Sequence, residues 1–464
     1  MSGRRAFLLL VAGLMALNLA PLVAFRFFPS QDGPIHLEMA LVLDQLRQGD
    51  VTFARYFELN PRLQPNLLVH LPLVPLAKLL TAGAAEKLLL ALYVVAFPAA
   101  LGYALTAVRR EALHWLPLAF PLTYSYLLHL GFYNFCYGLA LSLLALGYWL
   151  RRRDELRGRR AVWLAVWILA TGLAHAVALG VLLLVLAVLT GWAIRRERAA
   201  AVQGSLPLPS LRRVVLRRLL PLAAGALPPV VLVASFFAGA AAEPAYRMGW
   251  VSLVKVLAML HSLVSFSPWE IAVSLGIGAL VAAAAIAALR ARRRAGGGWR
   301  DSDGLLLAAA AVLLLYFLVP TGFAGGGFFS QRLQLYLLLL VVPCGWRASR
   351  RARAAGARSS PPARRSGSCW RRSTCAPTAA STRCSRSTCP WRRASRRARR
   401  FCRFPSSSPI TGRALPGRPT RCGPSCTRRA TWPPSAGSSI SPATRRSAAT
   451  SRSATATRST RIAS

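Results

Sequence analysis

Long apolar segments dominate residues 1–346, and short charged loops separate them. A helix needs roughly 20 apolar residues to cross the hydrocarbon layer of a bilayer, and in that layer only helices and closed barrels satisfy their own backbone groups. We therefore expect an all-α, polytopic transmembrane helical bundle of about 10 spans. The segments cover residues 6–28, 85–107, 113–130, 133–150, 161–176, 177–194, 217–238, 270–290, 304–321 and 332–346.

The chain changes in composition at residue 347. All 14 acidic residues lie before residue 304, whereas residues 347–464 are rich in Arg, Ser and Pro and contain no Asp, Glu, Lys or His. Such a segment buries too little apolar surface to fold, so we expect a disordered tail. The abrupt change inside an apolar segment favours a shifted reading frame in a GC-rich gene. The alternative is a natural basic tail attracted to anionic lipid or nucleic acid.

The arginine clusters predict the orientation of the spans. They follow alternate segments, and cytoplasmic loops are the ones enriched in Lys and Arg. A cytoplasmic N-terminus places most of these clusters on the cytoplasmic side. The clusters are at residues 4–5, 109–110, 151–160, 195–198, 212–218 and 290–300.

The apolar stretch "LLVHLPLVPLAKLL", residues 67–80, is expected not to cross the membrane. It is short and contains Pro72 and Pro75, and a crossing here would export the later arginine clusters. We interpret it as an interfacial or re-entrant helix, so that residues 29–84 form a long outer loop with two interfacial helices. A full span with reversed topology downstream is the alternative.

This topology gathers polar side chains on the outer side. Polar groups at the ends of spans are costly in lipid, so we expect them to line a cavity or the water interface. The group comprises His36, His70, His129, His175 and His261, with Asp32, Glu38, Glu58, Glu243 and Arg332. His175 lies at a turn between two spans, where a ligand-binding histidine and a helix-turn histidine look alike. Without HxH or HExxH spacing, the sequence supports no metal site and no cofactor.

The stretch "QDGPIHLEM" predicts a capped interfacial helix. Pro34 suits a first helical turn, and Asp32 before it is placed to cap the amides. The functional interpretation is that Asp32 is a general base in a partly dry setting, with His36 pointing into the same cavity. We assign Asp32 and His36 to catalysis, and Glu38 and His175 to substrate binding.

A second outer loop, "PTGFAGGGFFSQRL", predicts an anion site. Its three glycines, Gly325, Gly326 and Gly327, let backbone amides approach an anion, and Arg332 can hold phosphate oxygens with a fork of donors. We assign all four to substrate binding. A flexible loop followed by an arginine that reaches the interface is the competing interpretation.

Several stretches resemble the GT-C class of membrane glycosyltransferases, which includes bacterial relatives of protein mannosyltransferases and aminoarabinose transferases. The resemblance covers residues 1–346 and lies in "FPSQDGPIHLEMA", "HLGFYNFCYGLALSLLAL", "TGLAHAVAL" and "GGGFFSQRLQLY". It implies inverting transfer of a sugar from a polyprenyl-phosphate carrier to an acceptor, on the outer face of a bacterial inner membrane. Asp32 is then the base and Arg332 the candidate for the lipid phosphate. Many members pair two acids in the first loop, whereas here Gly33 follows Asp32 and the nearest acid is Glu38.

Two rival functions stay open, a transporter or flippase and a noncatalytic membrane protein. A transporter predicts polar residues throughout the midplane, whereas the mid-span positions here are almost all Leu, Ala and Val. This favours a one-sided site and the transferase. The partners we expect are membrane lipid and a lipid-linked sugar, with no nucleic acid, and the sequence indicates no particular oligomeric state.

Overall fold

The computed structural model describes residues 2–59, 63–204, 210–238, 244–294, 301–323 and 326–344. These ranges contain no β-strand, only two isolated bridges, Tyr246 with Gly322 and Phe323 with Gly326. The all-α class is therefore confirmed. The predictions for residues 347–464, Glu243 and Gly325 lie outside the described residues.

The α-helices are numbered in chain order. They are α1 (Ser2–Ala24), α2 (Gly33–Arg47), α3 (Val51–Ala54), α4 (His70–Leu79), α5 (Ala82–Val108), α6 (Ala119–Thr123), α7 (Tyr126–His129), α8 (Tyr133–Arg152), α9 (Arg159–Ala174), α10 (Ala176–Val202), α11 (Leu211–Val214), α12 (Leu220–Ala238), α13 (Trp250–Ala258), α14 (Trp269–Arg294), α15 (Asp301–Leu318) and α16 (Phe329–Val341). The other helical pieces are the 3₁₀ helices Arg110–Leu118, His261–Leu263 and Val342–Cys344 and the π-helical turn Val215–Leu219.

Within the described residues, six helices are long and apolar enough to cross a membrane, which indicates a membrane protein. Two further apolar helices, α15 and α16, are shorter, and α9 has 16 residues. The count of about 10 spans is therefore not confirmed. The six candidate spans are Gly3–Ala24, Ala82–Val108, Tyr133–Arg152, Ala176–Val202, Val215–Ala238 and Trp269–Arg290.

Helices α5 and α8 run parallel to each other. Near the start of both, the Tyr133 hydroxyl donates to Glu86 Oε1 at 2.6 Å, and near the end of both, Arg151 donates to Thr106 Oγ1 at 2.6 Å. These contacts define two ends of the bundle, which we call the Tyr133 end and the Arg152 end. Since the two helices are parallel, the chain between them must return from the Arg152 end to the Tyr133 end.

The returning chain, residues 109–132, is not the continuous span predicted for 113–130. It consists of the 3₁₀ helix Arg110–Leu118 followed by the short helices α6 and α7. Proline explains part of the break, since Pro117 lacks the amide proton that an α-helix uses. Leu113 and Leu116 pack on Gly102 of α5, so the segment follows α5 in the opposite direction.

The chain from α4 to α5 begins and ends at the Tyr133 end. The Val69 amide donates to Asn134 Oδ1 at 3.0 Å, and Glu86 accepts from the neighbouring Tyr133. Helix α4 has 10 residues, about half the length that crosses hydrocarbon. The stretch 67–80 therefore does not reach the Arg152 end.

Helix α16, together with the 3₁₀ helix Val342–Cys344 that follows it, runs beside α8 from the Tyr133 end to the Arg152 end. Its first turn holds Arg332 over the ring of Phe132 at the Tyr133 end, and after its last turn Pro343 O accepts from Arg109 at 3.3 Å at the Arg152 end. The loop before α8 and the loop before α16 consequently lie at the same end of the bundle.

Candidate functional site

Two loops meet at the Tyr133 end. The Gln31 amide donates to His129 O at 2.9 Å, and the Asp32 amide donates to Leu130 O at 3.2 Å. Gly131 makes this approach possible. Its φ is +85°, and a Cβ atom there would lie 2.8 Å from Asp32 Cβ, so only glycine fits both the conformation and the space.

Asp32 precedes α2, but its side chain caps nothing. Instead, the Gly33 amide donates to Ser30 Oγ at 3.0 Å, so the predicted capping by Asp32 is wrong. Within the described part of the chain, the Asp32 carboxylate accepts no hydrogen bond and forms no ion pair. Partial burial raises the pKa of this carboxyl above its ordinary value, because the charged form loses solvation.

A second carboxylate, Glu86, lies beside Gly33, the residue after Asp32, and the sequence alone did not point to it. It is in the first turns of α5, where Tyr133 Oη donates to it, and both groups flank Gly33. A Cβ atom on Gly33 would lie 2.7 Å from Tyr133 Oη. The signal available in the sequence was an acid at the start of an otherwise apolar helix, which is costly in lipid unless it has a role.

His36 is fixed by contacts at both ring nitrogens. Its Nε2 lies 2.7 Å from Gly131 O, and its Nδ1 lies 3.1 Å from Nε2 of His70. The other nitrogen of His70, Nδ1, lies 2.9 Å from Asn66 O. His36 therefore has no ring nitrogen left for a substrate. Its geometry gives it a positioning role on α2, which differs from the catalytic role predicted for it.

Arg332 is a buried cation in an aromatic cage. Only 5% of the residue is exposed, and its Nε has no hydrogen-bond partner among the described residues. Its guanidinium carbon lies 4.7 Å from the ring centre of Phe132, 5.4 Å from Phe329 and 5.6 Å from Phe135. Aromatic faces attract a cation but supply no counter-charge. The site therefore suits an anion.

The glycine loop differs from its prediction. The amide of Gly326 donates to Phe323 O at 2.9 Å, so it is not available to an anion. A Cβ atom on Gly327 would meet no heavy atom within 4 Å, so the space beside it is open. Gly325 lies outside the described residues. Of the two glycines that the structure describes, Gly327 keeps its predicted role in binding, and the role of Gly325 stays a prediction.

Of the two interpretations of His175, a ligand-binding histidine and a helix-turn histidine, the structure favours the helix-turn histidine. It is the N-cap of α10, and its Nδ1 accepts from the Val177 amide at 3.1 Å. Its ring packs edge-on against Phe135, a member of the Arg332 cage, at 5.4 Å. The predicted substrate-binding role is thus reduced to support of the cage.

The remaining predicted residues divide into two groups. Glu38 is exposed on α2 and contacts none of the site groups, so the structure does not bring it to Asp32. His129 stacks on Phe28 at 5.4 Å, and His261 packs edge-on against Tyr126 at 5.0 Å. The predicted gathering of five histidines at one end therefore agrees with the structure.

One dipeptide, Gly131–Phe132, contacts both Asp32 and Arg332. Gly131 packs against Asp32, and the next residue, Phe132, lies under the guanidinium of Arg332. Among the described residues, a carboxylate without a partner and a cation without a counter-ion thus flank the same short stretch of backbone. No protein family, no curated protein and no solved structure matches the chain.

Proposed function

We propose that the protein transfers a sugar from a polyprenyl-phosphate carrier to an acceptor at the Tyr133 end of the bundle. One observation supports this most directly. In the part of the chain that the structure describes, the Asp32 carboxylate has no partner and the buried Arg332 has no counter-ion, and the two lie on either side of Gly131 and Phe132. This is the pair of charges that a group transfer from phosphate needs.

In the proposed reaction, Asp32 takes the proton from a hydroxyl or amine of the acceptor. The freed lone pair forms a bond to the anomeric carbon of the sugar, with inversion. The bond from that carbon to the phosphate oxygen breaks, and the carrier leaves as polyprenyl phosphate with the electron pair. Arg332 stabilises the charge on that phosphate with its fork of donors.

The burial of Arg332 supports a lipid phosphate as its partner. A buried charge costs several kcal/mol unless a counter-charge offsets it. No carboxylate in the described residues pairs with Arg332. A phosphate group entering between the Tyr133-end loops would supply the missing charge, and the apolar helix surfaces around it suit a polyprenyl chain.

The orientation follows from the same proposal. Exposed arginines concentrate at the Arg152 end, so we infer that this end faces the cytoplasm of a bacterial inner membrane. The N-terminus of α1 lies at that end, since Phe7 packs near His114 of the returning segment. The site then faces the outer compartment.

The test compares Asp32→Asn and Arg332→Met with the wild type in lipid nanodiscs, using a pool of polyprenyl-phosphate sugars. Asp32→Asn removes the base, and we expect a loss of sugar release of at least 100-fold, of the order of 3 kcal/mol. The matched control is Arg160→Met, because Arg160 is an exposed arginine paired with Glu155. Equal turnover in all four proteins would exclude the proposal.

One observation favours a transporter as second candidate. The first half of α16 buries a run of polar residues, Ser330, Gln331, Arg332 and Gln334. The Gln334 side chain, however, is bonded to the backbone of Val256 and Ser262, which is a structural use. Uptake or lipid flipping in proteoliposomes without sugar release would support the transporter.

A further inference from the structure

His36 and His70 face each other through Nδ1 of His36 and Nε2 of His70. In each ring the other nitrogen lies against a backbone carbonyl oxygen. Gly131 O and Asn66 O are carbonyl oxygens and can only accept. The proton of His36 must therefore be on Nε2, and the proton of His70 on Nδ1. In neutral rings this leaves lone pairs on both facing nitrogens, His36 Nδ1 and His70 Nε2.

Two lone pairs 3.1 Å apart in a half-buried setting repel each other. The same distance is normal for an N–H···N hydrogen bond. One additional proton converts the contact from repulsion to a charge-assisted bond, which is stronger than a neutral one. No change of tautomer gives this result without breaking a bond to a backbone carbonyl.

We propose that His36 and His70 form a proton-binding site, in which one proton is shared between His36 Nδ1 and His70 Nε2. The pair then carries a single positive charge between α2 and α4. The site is independent of the sugar transfer, because its ligand is the proton and its contacts are all within the chain.

The acidic groups around the pair favour a positive charge on it, whereas a second proton is opposed by the first. From α5, Glu86 is bonded to Tyr133 of α8, whose ring packs on His36 at 5.1 Å between ring centres. Asp32 precedes α2 four residues before His36. Neither carboxylate is hydrogen-bonded to the two rings, so both favour a positive charge there only from a distance. The third nearby acid, Asp44, is already paired with Lys78 of α4 at 2.6 Å.

The pair titrates as a unit. Burial lowers the pKa of both rings, and His70 is lowered further, to about 4, by burial and by the charge of His36. We take this low pKa as that of the second proton, which would place two charges 3.1 Å apart. The first proton gains the hydrogen bond, so it binds more tightly than a second proton would.

A metal ion is the rival occupant, since metal-binding histidines also donate their second nitrogen to a carbonyl. The described residues offer no cluster of three or more His, Cys, Asp or Glu side chains that could hold a metal ion. Two ligands alone do not make a stable zinc site. The geometry therefore points to the proton.

The experiment uses the full chain with ¹⁵N-labelled histidine in nanodiscs at about pH 5.5, above the pKa of about 4 of His70. We expect one scalar coupling between an Nδ1 and an Nε2 through a strongly downfield proton. His36→Asn and His70→Gln should each remove it, whereas His114→Gln, at the Arg152 end, should leave it unchanged. Either of the first two variants suffices for assignment if the other fails to fold.

A second measurement separates the shared proton from mere contact. In His70→Gln, the glutamine amide can donate to His36 Nδ1 without a proton from solution. This variant should therefore bind one proton fewer than the wild type on acidification from pH 8 to about 5.5. Two neutral rings without coupling at this pH would overturn the proposal. It would also be overturned if the wild type bound one equivalent of zinc and His36→Asn bound none.

Discussion

The two ends of the bundle use their charges differently. At the Arg152 end the arginines are mostly exposed, and they pair with acids near the surface, as the exposed Arg160 does with Glu155. At the Tyr133 end, Arg332 is buried and the Asp32 carboxylate is half-buried, and neither has an ionic partner within the described ranges.

This difference separates charges that orient the protein from charges that can do chemistry. Exposed ion pairs contribute little to stability, usually below about 1 kcal/mol, and the sum of their charges is what the membrane potential and lipids sense. Buried unpaired charges destabilise the fold, so their presence calls for a ligand that completes them.

The largest expected effect contrasts one arginine from each end. Arg332→Met should lower sugar release at least 100-fold, about 3 kcal/mol, while leaving the fold as stable or more stable, because a buried unpaired charge is removed. Arg160→Met should change neither property. The measurements are turnover in nanodiscs and unfolding in mixed micelles of increasing SDS fraction. A marked loss of stability in Arg332→Met would show that Arg332 is structurally required.

The next effect contrasts two glycines. Gly33→Ala places a methyl group 2.7 Å from Tyr133 Oη, so it should destabilise the fold by about 2 kcal/mol. Gly191→Ala in α10 meets no atom within 4 Å and should be neutral or stabilising, because alanine is the better helix former. The same SDS titration measures both. Equal stability of the two variants would mean that Glu86 and Tyr133 move aside freely.

A smaller effect concerns the dependence of the rate on pH. Asp32 must be charged to accept a proton, and burial raises its pKa above 3.8. The rate should fall about tenfold per pH unit below this raised pKa and level off above it. In the folded state the raised pKa favours the protonated form, so the stability that Asp32 contributes is lost as the pH rises through that pKa. Glu155→Gln at the Arg152 end should leave the acid limb unchanged, and a shift would contradict the assignment.

The smallest effect contrasts two tyrosines of α8, one at each end. Tyr133→Phe removes the donor of a half-buried carboxylate and should cost about 1 kcal/mol. Tyr148→Phe removes an exposed bond to Arg160 O at 3.2 Å and should cost close to nothing. Double-mutant analysis with Glu86→Gln should show coupling for Tyr133 alone.

Local patterns in the sequence predicted the fold where local physics decides it. The apolar runs gave α1, α5, α8 and α9 to within a few residues, and Pro34 marked the first turn of α2. The gathering of the histidines at one end followed from counting crossings, because each crossing of the bundle exchanges the ends.

The remaining features depend on contacts between distant residues. His36 and His70 are 34 residues apart, and Glu86 reaches Tyr133 across 47 residues. The periodicity of apolar residues along the chain does not indicate which distant residues form such pairs. The returning segment was predicted as a span because its composition is apolar, but composition does not distinguish a continuous helix from short pieces packed along α5.

Because α5 and α8 run parallel, residues 109–132 form a connecting segment that runs from one end of the bundle to the other. It starts beside the arginines and finishes under both Asp32 and Arg332. A rod built of 3₁₀ turns and four- or five-residue helices lacks the continuous hydrogen-bond ladder of a long helix, so its length is set by its neighbours. A change in the length of this segment therefore moves the backbone next to Asp32 and the backbone next to Arg332 together, by the same distance and in the same direction.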